Sequence, residues 1–379
     1  MNIELSAKEN EIKELVSLFA RQEIVPLVEK IDREDWWPPD LFRKLGNLNL
    51  LGIVVPQEFG GAGGNLMMEL LATEELAKVS PSVAISFSAH VNLCIDNLVR
   101  NGNEEQKGRF LPGLCRGNLV GGMAITEPSA GSDALGMQTT ATRSGSRYLL
   151  NGSKIFTTNA PIADIIIVYA KTDISRGARG ITAFIVETGT TGFKVKRSLD
   201  KIGIRGAPSA EIGFDNCEVE AFNILIGENQ GLQVMMNGLD FERAVLSSAW
   251  LGTAQGAFDL ALKYSKERIQ FGQAISNFQL IQAKLADMYT LIQASRLFVY
   301  WVVRRAEAGM NVSRDAAAAN LMSGEMCVRV AEEAVQIHGG YGLLLENPVQ
   351  RYYRDAKLAT IGGGTAEIRR LVVARDLLR

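Results

Sequence analysis

The order of patterns along the chain limits its fold more than any single motif. Two long stretches of helical periodicity enclose one block of short, strand-like segments. Over 7–113 apolar residues such as Ile12, Leu15, Val16 and Phe19 recur mostly at three and four, the spacing of helices with one buried face. Helices are expected at 40–45, 66–78, 83–100 and 104–111, and Pro26 reads as a breaker of the first. Over 118–224 the period becomes that of strands. Here 148–156 reads as a hairpin turned at Asn151-Gly152, followed by strands at 164–170, 180–187, 211–214 and 217–219. Helices return at 238–268, 277–308, 313–338 and 365–378. Strands gathered in a block, rather than alternating with helices, predict an α+β chain of separate layers. The expected domains are 1–117, helical; 118–226, a small β domain; and 227–379, helical.

Composition excludes several classes. The 379 residues are 47% hydrophobic and 22% charged, which suits a chain with a large core divided among domains. A net charge of -2 gives no electrostatic footprint for nucleic acid or an anionic membrane. Apolar runs look shorter than the roughly 20 residues that span a bilayer, and Glu4 interrupts any early signal core. A cytoplasmic protein without a membrane segment is the expectation. Cys94, Cys115, Cys217 and Cys327 form no CxxC pair, and His90 and His338 are the only histidines. No metal site is therefore expected, and a Ser-His-Asp triad is poorly supplied. No G-x-G-x-x-G joins a strand to a helix.

The residue that stands out is Glu242. It lies three residues after Leu239 and three before Val245, on the apolar stripe of 238–268. A buried carboxylate is costly unless paired, protonated or in use. Drying raises its pKa from about 4.3 and makes it a better base at neutral pH. The competing reading is an ion pair with a basic neighbour such as Arg243. Four other stretches each carry a weak signal. The segment from Thr126 to Asp133 exposes N–H groups and hydroxyls that can hold a polar ligand, or is a plain loop. Phe156 and Thr158 share a strand face that could flank a flat ring, or be merely half-buried. Arg268 beside Phe271 could bind pyrophosphate and a base, although a helix C-terminus favours Arg in any case. Gly362-Gly363-Gly364 precedes a Thr365 N-cap. Such a helix start attracts phosphate, and the glycines leave space or form a hinge.

Taken in order, the motifs resemble one family. Thr-Glu-Pro-x-x-Gly-Ser-Asp at 126–133 is followed by Lys-x-Phe-x-Thr-Asn at 154–159. Glu-Arg-x-x-Phe-Gly at 267–272, Gln-x-x-Gly-Gly-x-Gly at 336–342 and Gly-Thr-x-Glu-Ile at 364–368 complete the series. The series resembles the acyl-CoA dehydrogenases over essentially the whole chain, and within them the isovaleryl-CoA dehydrogenase branch. The resemblance implies an N-terminal helical domain, a middle β-barrel-like domain and a C-terminal four-helix bundle. It implies bound FAD, an acyl-CoA substrate, an electron-transfer flavoprotein as acceptor and a homotetramer. By position, Met123, Ala124, Ile125, Thr126 and Ser132, with Phe156, Thr157 and Thr158, would hold the isoalloxazine ring. Arg268, Phe271, Gln279, Gln336, Gly339 and Gly340 would hold the adenine and pyrophosphate, largely from a neighbouring subunit. Thr365 and Glu367 would complete that site. Ser132, Arg179, Asp240 and Arg243 would contact CoA, with Gly363 and Gly364 beside the acyl thioester.

Two positions depart from the family. Phe156 stands where Trp is common, which keeps the ring contact and loses the indole donor. Gly363 stands where most members carry the catalytic glutamate. The isovaleryl branch places that acid before an Arg in the central helix, which here is Glu242. The expected reaction is α,β-dehydrogenation of a short branched acyl-CoA, isovaleryl-CoA first, with an alicyclic acyl-CoA as the alternative. An acyl-CoA oxidase and a non-catalytic FAD- or CoA-binding scaffold are the rival classes.

Overall fold

The computed structural model describes residues 4–379. The chain is α+β, with a helical N-terminal part, a middle sheet and a C-terminal helical bundle. Helix α1 (Ala7–Phe19) starts at a capping box, in which Ser6 Oγ accepts from the Glu9 N–H at 3.3 Å while Glu9 accepts from the Ser6 N–H at 2.8 Å. Pro26 does not break the helical course that follows. A π turn (Ala20–Ile24) and a 3-10 turn (Val25–Leu27) carry the chain into α2 (Val28–Glu34), because these windings absorb the missing N–H locally. Then come α3 (Leu41–Asn47), α4 (Leu66–Val79), α5 (Pro81–Ser88), α6 (Asp96–Asn101) and α7 (Glu104–Cys115). A π segment (Ala89–Ile95) joins α5 to α6. Contrary to the sequence expectation, Pro81–Asn101 is long and apolar enough to cross a membrane, with 21 residues and a mean hydropathy of 1.2. In the fold, 89% of its apolar window is buried inside the protein.

The sheet holds β1 (Gly121–Ala124), β2 (Thr140–Ser144), β3 (Arg147–Thr158), β4 (Ile165–Lys171), β5 (Ile181–Glu187), β6 (Phe193–Ser198) and β7 (Ser209–Glu220). Strand order is β1-β4-β2-β3-β7-β6, with β5 on the free side of β4. The expected hairpin at Asn151-Gly152 is absent. Strand β3 runs straight through, with a bulge between Leu150 and Gly152, and the true turn is Gly145-Ser146. Gly152 is there because space is short: a Cβ would lie 2.5 Å from Thr139 Oγ1. The segments 211–214 and 217–219 likewise prove to be one strand, β7, kinked at Asn216 with φ of 46°. Strand β1 is half glycine, β6 is half charged and β2 is short and mostly polar, so none shows in the pattern.

The third part contains α8 (Gly231–Glu267), a small hairpin of β8 (Ile269–Gln270) and β9 (Gln273–Ala274), α9 (Gln279–Glu307), α10 (Ser313–His338), α11 (Val349–Ala356) and α12 (Ala366–Leu377). Helix α8 begins a full two turns earlier than its periodicity shows, and it packs on α4, α9 and α10. It also belongs to two cores. Leu239 packs into a cluster with Tyr169, Ile185 and Leu225 of the β layer. Phe241, Val245 and Leu246 pack into the helical core with Trp250 and Leu70. Glu242 therefore sits on the seam between them.

Candidate active site

Glu242 is half-buried, and among the described residues it makes no hydrogen bond or ion pair. Its side chain lines a small cavity together with Asn92, Asn97, Met123, Ile125, Tyr169, Met235, Gly238 and Leu239. Burial pushes its pKa up from 4.5 to about 7, against weaker opposition from the Arg243 and Arg369 charges. The ion pair with Arg243 considered from sequence does not form. Arg243 instead faces Asp240 at 3.7 Å. The Tyr169 phenol is pushed up by burial and by the nearby Glu242 charge.

The glycine turn lies against the same helix face. A Cβ on Gly363 would come within 2.8 Å of Leu246 Cδ2, and Leu246 is one helical turn beyond Glu242. Gly363 and Gly364 have φ of 67° and 92°, a left-handed course open to glycine at little cost. The buried Arg369 holds the turn by donating to the carbonyls of Asn320 at 3.2 Å, Ala359 at 2.7 Å and Gly362. The N–H groups of Gly363, Gly364 and Thr365 have no acceptor among the described residues. The Thr365 hydroxyl caps α12 by accepting from Ile368 N–H at 3.3 Å, and Glu367 is exposed beside it.

Met123 and Ile125 connect the Glu242 cavity to the Thr126 loop. That loop is built around a buried ion pair. Lys154 Nζ donates to Glu127 at 2.9 Å and to the Ile125 carbonyl at 3.0 Å. Glu127 also accepts from the N–H groups of Gln138 at 2.5 Å and Thr139 at 2.9 Å. Burial lowers the Lys154 pKa to about 8. Burial works against the Glu127 charge too, but the Lys154 and backbone bonds outweigh it and hold its pKa low. The Ile155 N–H bonds the Thr126 carbonyl at 2.9 Å, so Thr126 lies beside Phe156. Strand β3 bulges there. Phe156 takes φ of 58° and is 67% exposed, a strained backbone position costing about 1–3 kcal/mol. The Thr157 hydroxyl is buried without a partner, and Thr158 is half-buried. Asn159 closes the end of β3 by donating to the Gly121 and Ser86 carbonyls at 3.0 and 2.9 Å.

These features fit a flat, polar-edged ring such as the flavin of FAD. An aromatic face is held outward on a strained backbone, with the half-buried Thr158 two residues on and Thr126 alongside. A second cavity of about 420 Å³ is lined by Arg268, Tyr264, Gly339, Gly340 and Tyr341. There the Arg268 guanidinium stands 5.4 Å from the Tyr341 ring, and side-chain space above both glycines is open. Phe271, at the hairpin tip, is 93% exposed, and Gln279 and Gln336 are exposed as well. This set shares no lining residue with the Glu242 cavity, so one chain presents two separate halves. Ser132 and Arg179 are exposed. The turn Ile174–Gly180 packs on both the Ala134–Gly136 turn and α8, which gathers these two residues on one rim with α8.

Sequence reasoning missed Tyr169, Asn92 and Asn97 as cavity walls and Arg369 as the anchor of the glycine turn. Tyr169 looked like one more apolar strand residue. Lys154 in the middle of a strand was the signal for the buried pair with Glu127.

Three family models match along the chain: Acyl-CoA dehydrogenase, N-terminal domain, over 6–118; middle domain, over 122–217; and C-terminal domain, over 229–378. The chain is 46% identical to the mitochondrial isovaleryl-CoA dehydrogenase of Solanum tuberosum over 373 residues, covering 98% of this chain and 90% of that protein. It superposes on butyryl-CoA dehydrogenase from Megasphaera elsdenii with a TM-score of 0.98 and 40% identity over the whole of both chains. It superposes equally, at a TM-score of 0.98 and 42% identity over both whole chains, on a structure described as the electron transferring flavoprotein of Acidaminococcus fermentans.

Proposed function

The chain belongs to the acyl-CoA dehydrogenase family of FAD-dependent oxidoreductases, and from that premise we propose that it desaturates the Cα–Cβ bond of a short branched acyl-CoA, isovaleryl-CoA first. One observation carries the reading: Glu242, with a pKa of about 7 and no partner, shares its cavity with Met123 and Ile125 at the flavin loop.

Bound FAD supplies the acceptor for the β-hydride. The chain's own residues do the rest. Glu242 takes the α-proton, and its raised pKa lets it do so near neutral pH. The free N–H groups of the 363–365 turn are available to the thioester carbonyl, where negative charge develops as that proton leaves. Phe156, Thr157, Thr158 and Thr126 hold the ring, with the Thr126 and Thr158 hydroxyls at its polar edge. Arg268, Phe271, Gln279, Gln336, Gly339 and Gly340 hold the remainder of FAD, and Thr365 and Glu367 border it. Ser132, Arg179, Asp240 and Arg243 form the CoA rim. Met123, Met235 and Leu239 enclose the acyl group, and water leaves as it binds.

Likeness to the potato isovaleryl-CoA dehydrogenase supports the substrate. The likeness to a structure described as an electron transferring flavoprotein supports such a protein as electron acceptor. We place the enzyme in the cytoplasm as a homotetramer, in which the exposed Phe271 and the Arg268 cavity complete the FAD site of a neighbouring copy. The test is anaerobic titration with a panel of acyl-CoA thioesters while flavin absorbance is followed. Fastest bleaching by isovaleryl-CoA is expected. Fastest bleaching by a straight-chain or alicyclic thioester would replace the substrate, peroxide formed in air without an added acceptor would indicate an oxidase, and no bleaching would indicate a scaffold.

A further inference from the structure

Helix α6 meets the first turns of α8 through polar contacts that the reaction above does not use. Arg100 lays its guanidinium over the Phe241 ring, 3.6 Å from the centroid, an attraction that strengthens when water is excluded. Phe241 is the residue before Glu242. Arg100 Nη2 donates to Asp96 Oδ2 at 3.2 Å, and Asp96 is buried. Alongside, Asn237 donates to Asn101 at 3.2 Å, and Asn101 donates to Asn97 at 3.3 Å. Asn97 in turn walls the Glu242 cavity.

We propose that Asp96 is a positioning residue for the base: it holds Arg100 on Phe241 and so fixes the turn of α8 that presents Glu242. The inference rests on the role given to Glu242 above.

A second buried carboxyl explains how Asp96 stays charged. Asn92 donates to Glu69 at 3.3 Å and to Asp96 at 3.5 Å, which sets the two acids side by side. Glu69 Oε2 and Asp96 Oδ1 are both buried without partners. Two carboxylates with one arginine in a dry site hold a proton between them. Glu69 is the protonated member. Burial raises its pKa, the Asp96 charge raises it further, and it makes no ion pair. Burial raises Asp96 too, to about 6, but the bonded Arg100 opposes the rise and leaves Asp96 ionised at neutral pH. The two acids should therefore respond unequally to losing their charge.

The test compares Asp96→Asn, Glu69→Gln and Phe241→Leu in the FAD-loaded enzyme. Asp96→Asn is expected to slow flavin bleaching by about 10- to 100-fold, the cost of a misplaced reacting group, with acyl-CoA affinity nearly unchanged. The isotope effect with Cα-deuterated substrate should rise. Hydrogen exchange of amides 237–245 should quicken with or without FAD. Glu69→Gln should stay within about twofold, since the neutral amide stands in for the protonated acid. Phe241→Leu leaves the acid pair intact and should give the Asp96→Asn signature, and adding Asp96→Asn to it should cost nothing more. Equal losses in Asp96→Asn and Glu69→Gln would overturn the proposal, as would strictly additive losses with Phe241→Leu. Phe241→Leu at the wild-type rate and isotope effect would overturn it even if Asp96→Asn failed to fold. Wild-type bleaching with unimpaired variants removes the clamp and leaves the base. A wild-type protein that no acyl-CoA bleaches removes both.

Discussion

Replacing Glu242 with Gln should make the protein more stable at alkaline pH while ending its chemistry. Glu242 has a pKa of about 7 in the folded chain, against about 4.3 when unfolded. Between these values the folded state binds the extra proton, so stability falls as pH rises from about 4.3 and levels off above 7. At 1.36 kcal/mol for each tenfold change in proton affinity, the deficit at pH 8 is at most roughly 3–4 kcal/mol. The side chain is half-buried rather than sealed, and partial solvent access brings the figure to about 2–3 kcal/mol. Glutamine has the same shape and no charge, so it should recover that amount at pH 8 and about 1 kcal/mol or less at pH 5. An unfolding entropy of about 2.1 cal/mol/K per residue gives roughly 0.8 kcal/mol/K for a chain of this length. The Tm of the variant should therefore exceed wild type by about 3 °C at pH 8 and by about 1 °C at pH 5. Anaerobic flavin bleaching should fall by about 100-fold or more, the usual share of a general base. Thermal scans of the FAD-loaded pair at both pH values, with stopped-flow bleaching, test the two halves together. An equal Tm gain at both pH values would show that charge is not the cause. Retained bleaching would remove Glu242 from the mechanism.

Three further outcomes are expected. In the wild type, the bleaching rate should climb about tenfold per pH unit below pH 7 and flatten above it, because only the ionised Glu242 accepts a proton; a flat stopped-flow profile from pH 5.5 to 8 contradicts this. Lys154→Met strands the Glu127 carboxylate in a buried site and should cost about 3–5 kcal/mol in urea unfolding, with weaker FAD retention on gel filtration. Gly363→Ala puts a methyl against Leu246 at a positive φ and should cost about 1–2 kcal/mol. It should also cut turnover of isovaleryl-CoA relative to butyryl-CoA by about 10-fold, the scale of one misplaced methyl group.

The helical thirds were legible because each long helix keeps one apolar stripe; 313–338 was read to the residue. The sheet was harder. Asn151-Gly152 carried the strongest local turn signal in the chain, yet Gly152 serves a crowded bulge against Thr139. Local chemistry cannot distinguish a glycine needed for direction from one needed for room. At the site, the stripe position of Glu242 and the glycines at 362–364 could be read directly. Tyr169, Asn92 and Arg100 could not, since their roles depend on which strand or helix lies opposite. Pro81–Asn101 shows the same limit, because the chain alone does not reveal that 89% of its apolar window is buried inside the protein.

The contact between Leu246 and the 362–364 turn has a historical consequence. Two distant points of the backbone reach a single spot, so an acid can be presented there from either anchor with the scaffold unchanged. The routes are not interchangeable step by step. A side chain at 363 first needs the end of Leu246 to shift or shrink, and a form bearing both acids would hold like charges together in a dry space. Trading one anchor for the other therefore turns on whether the Leu246 side chain can swing aside or must shrink.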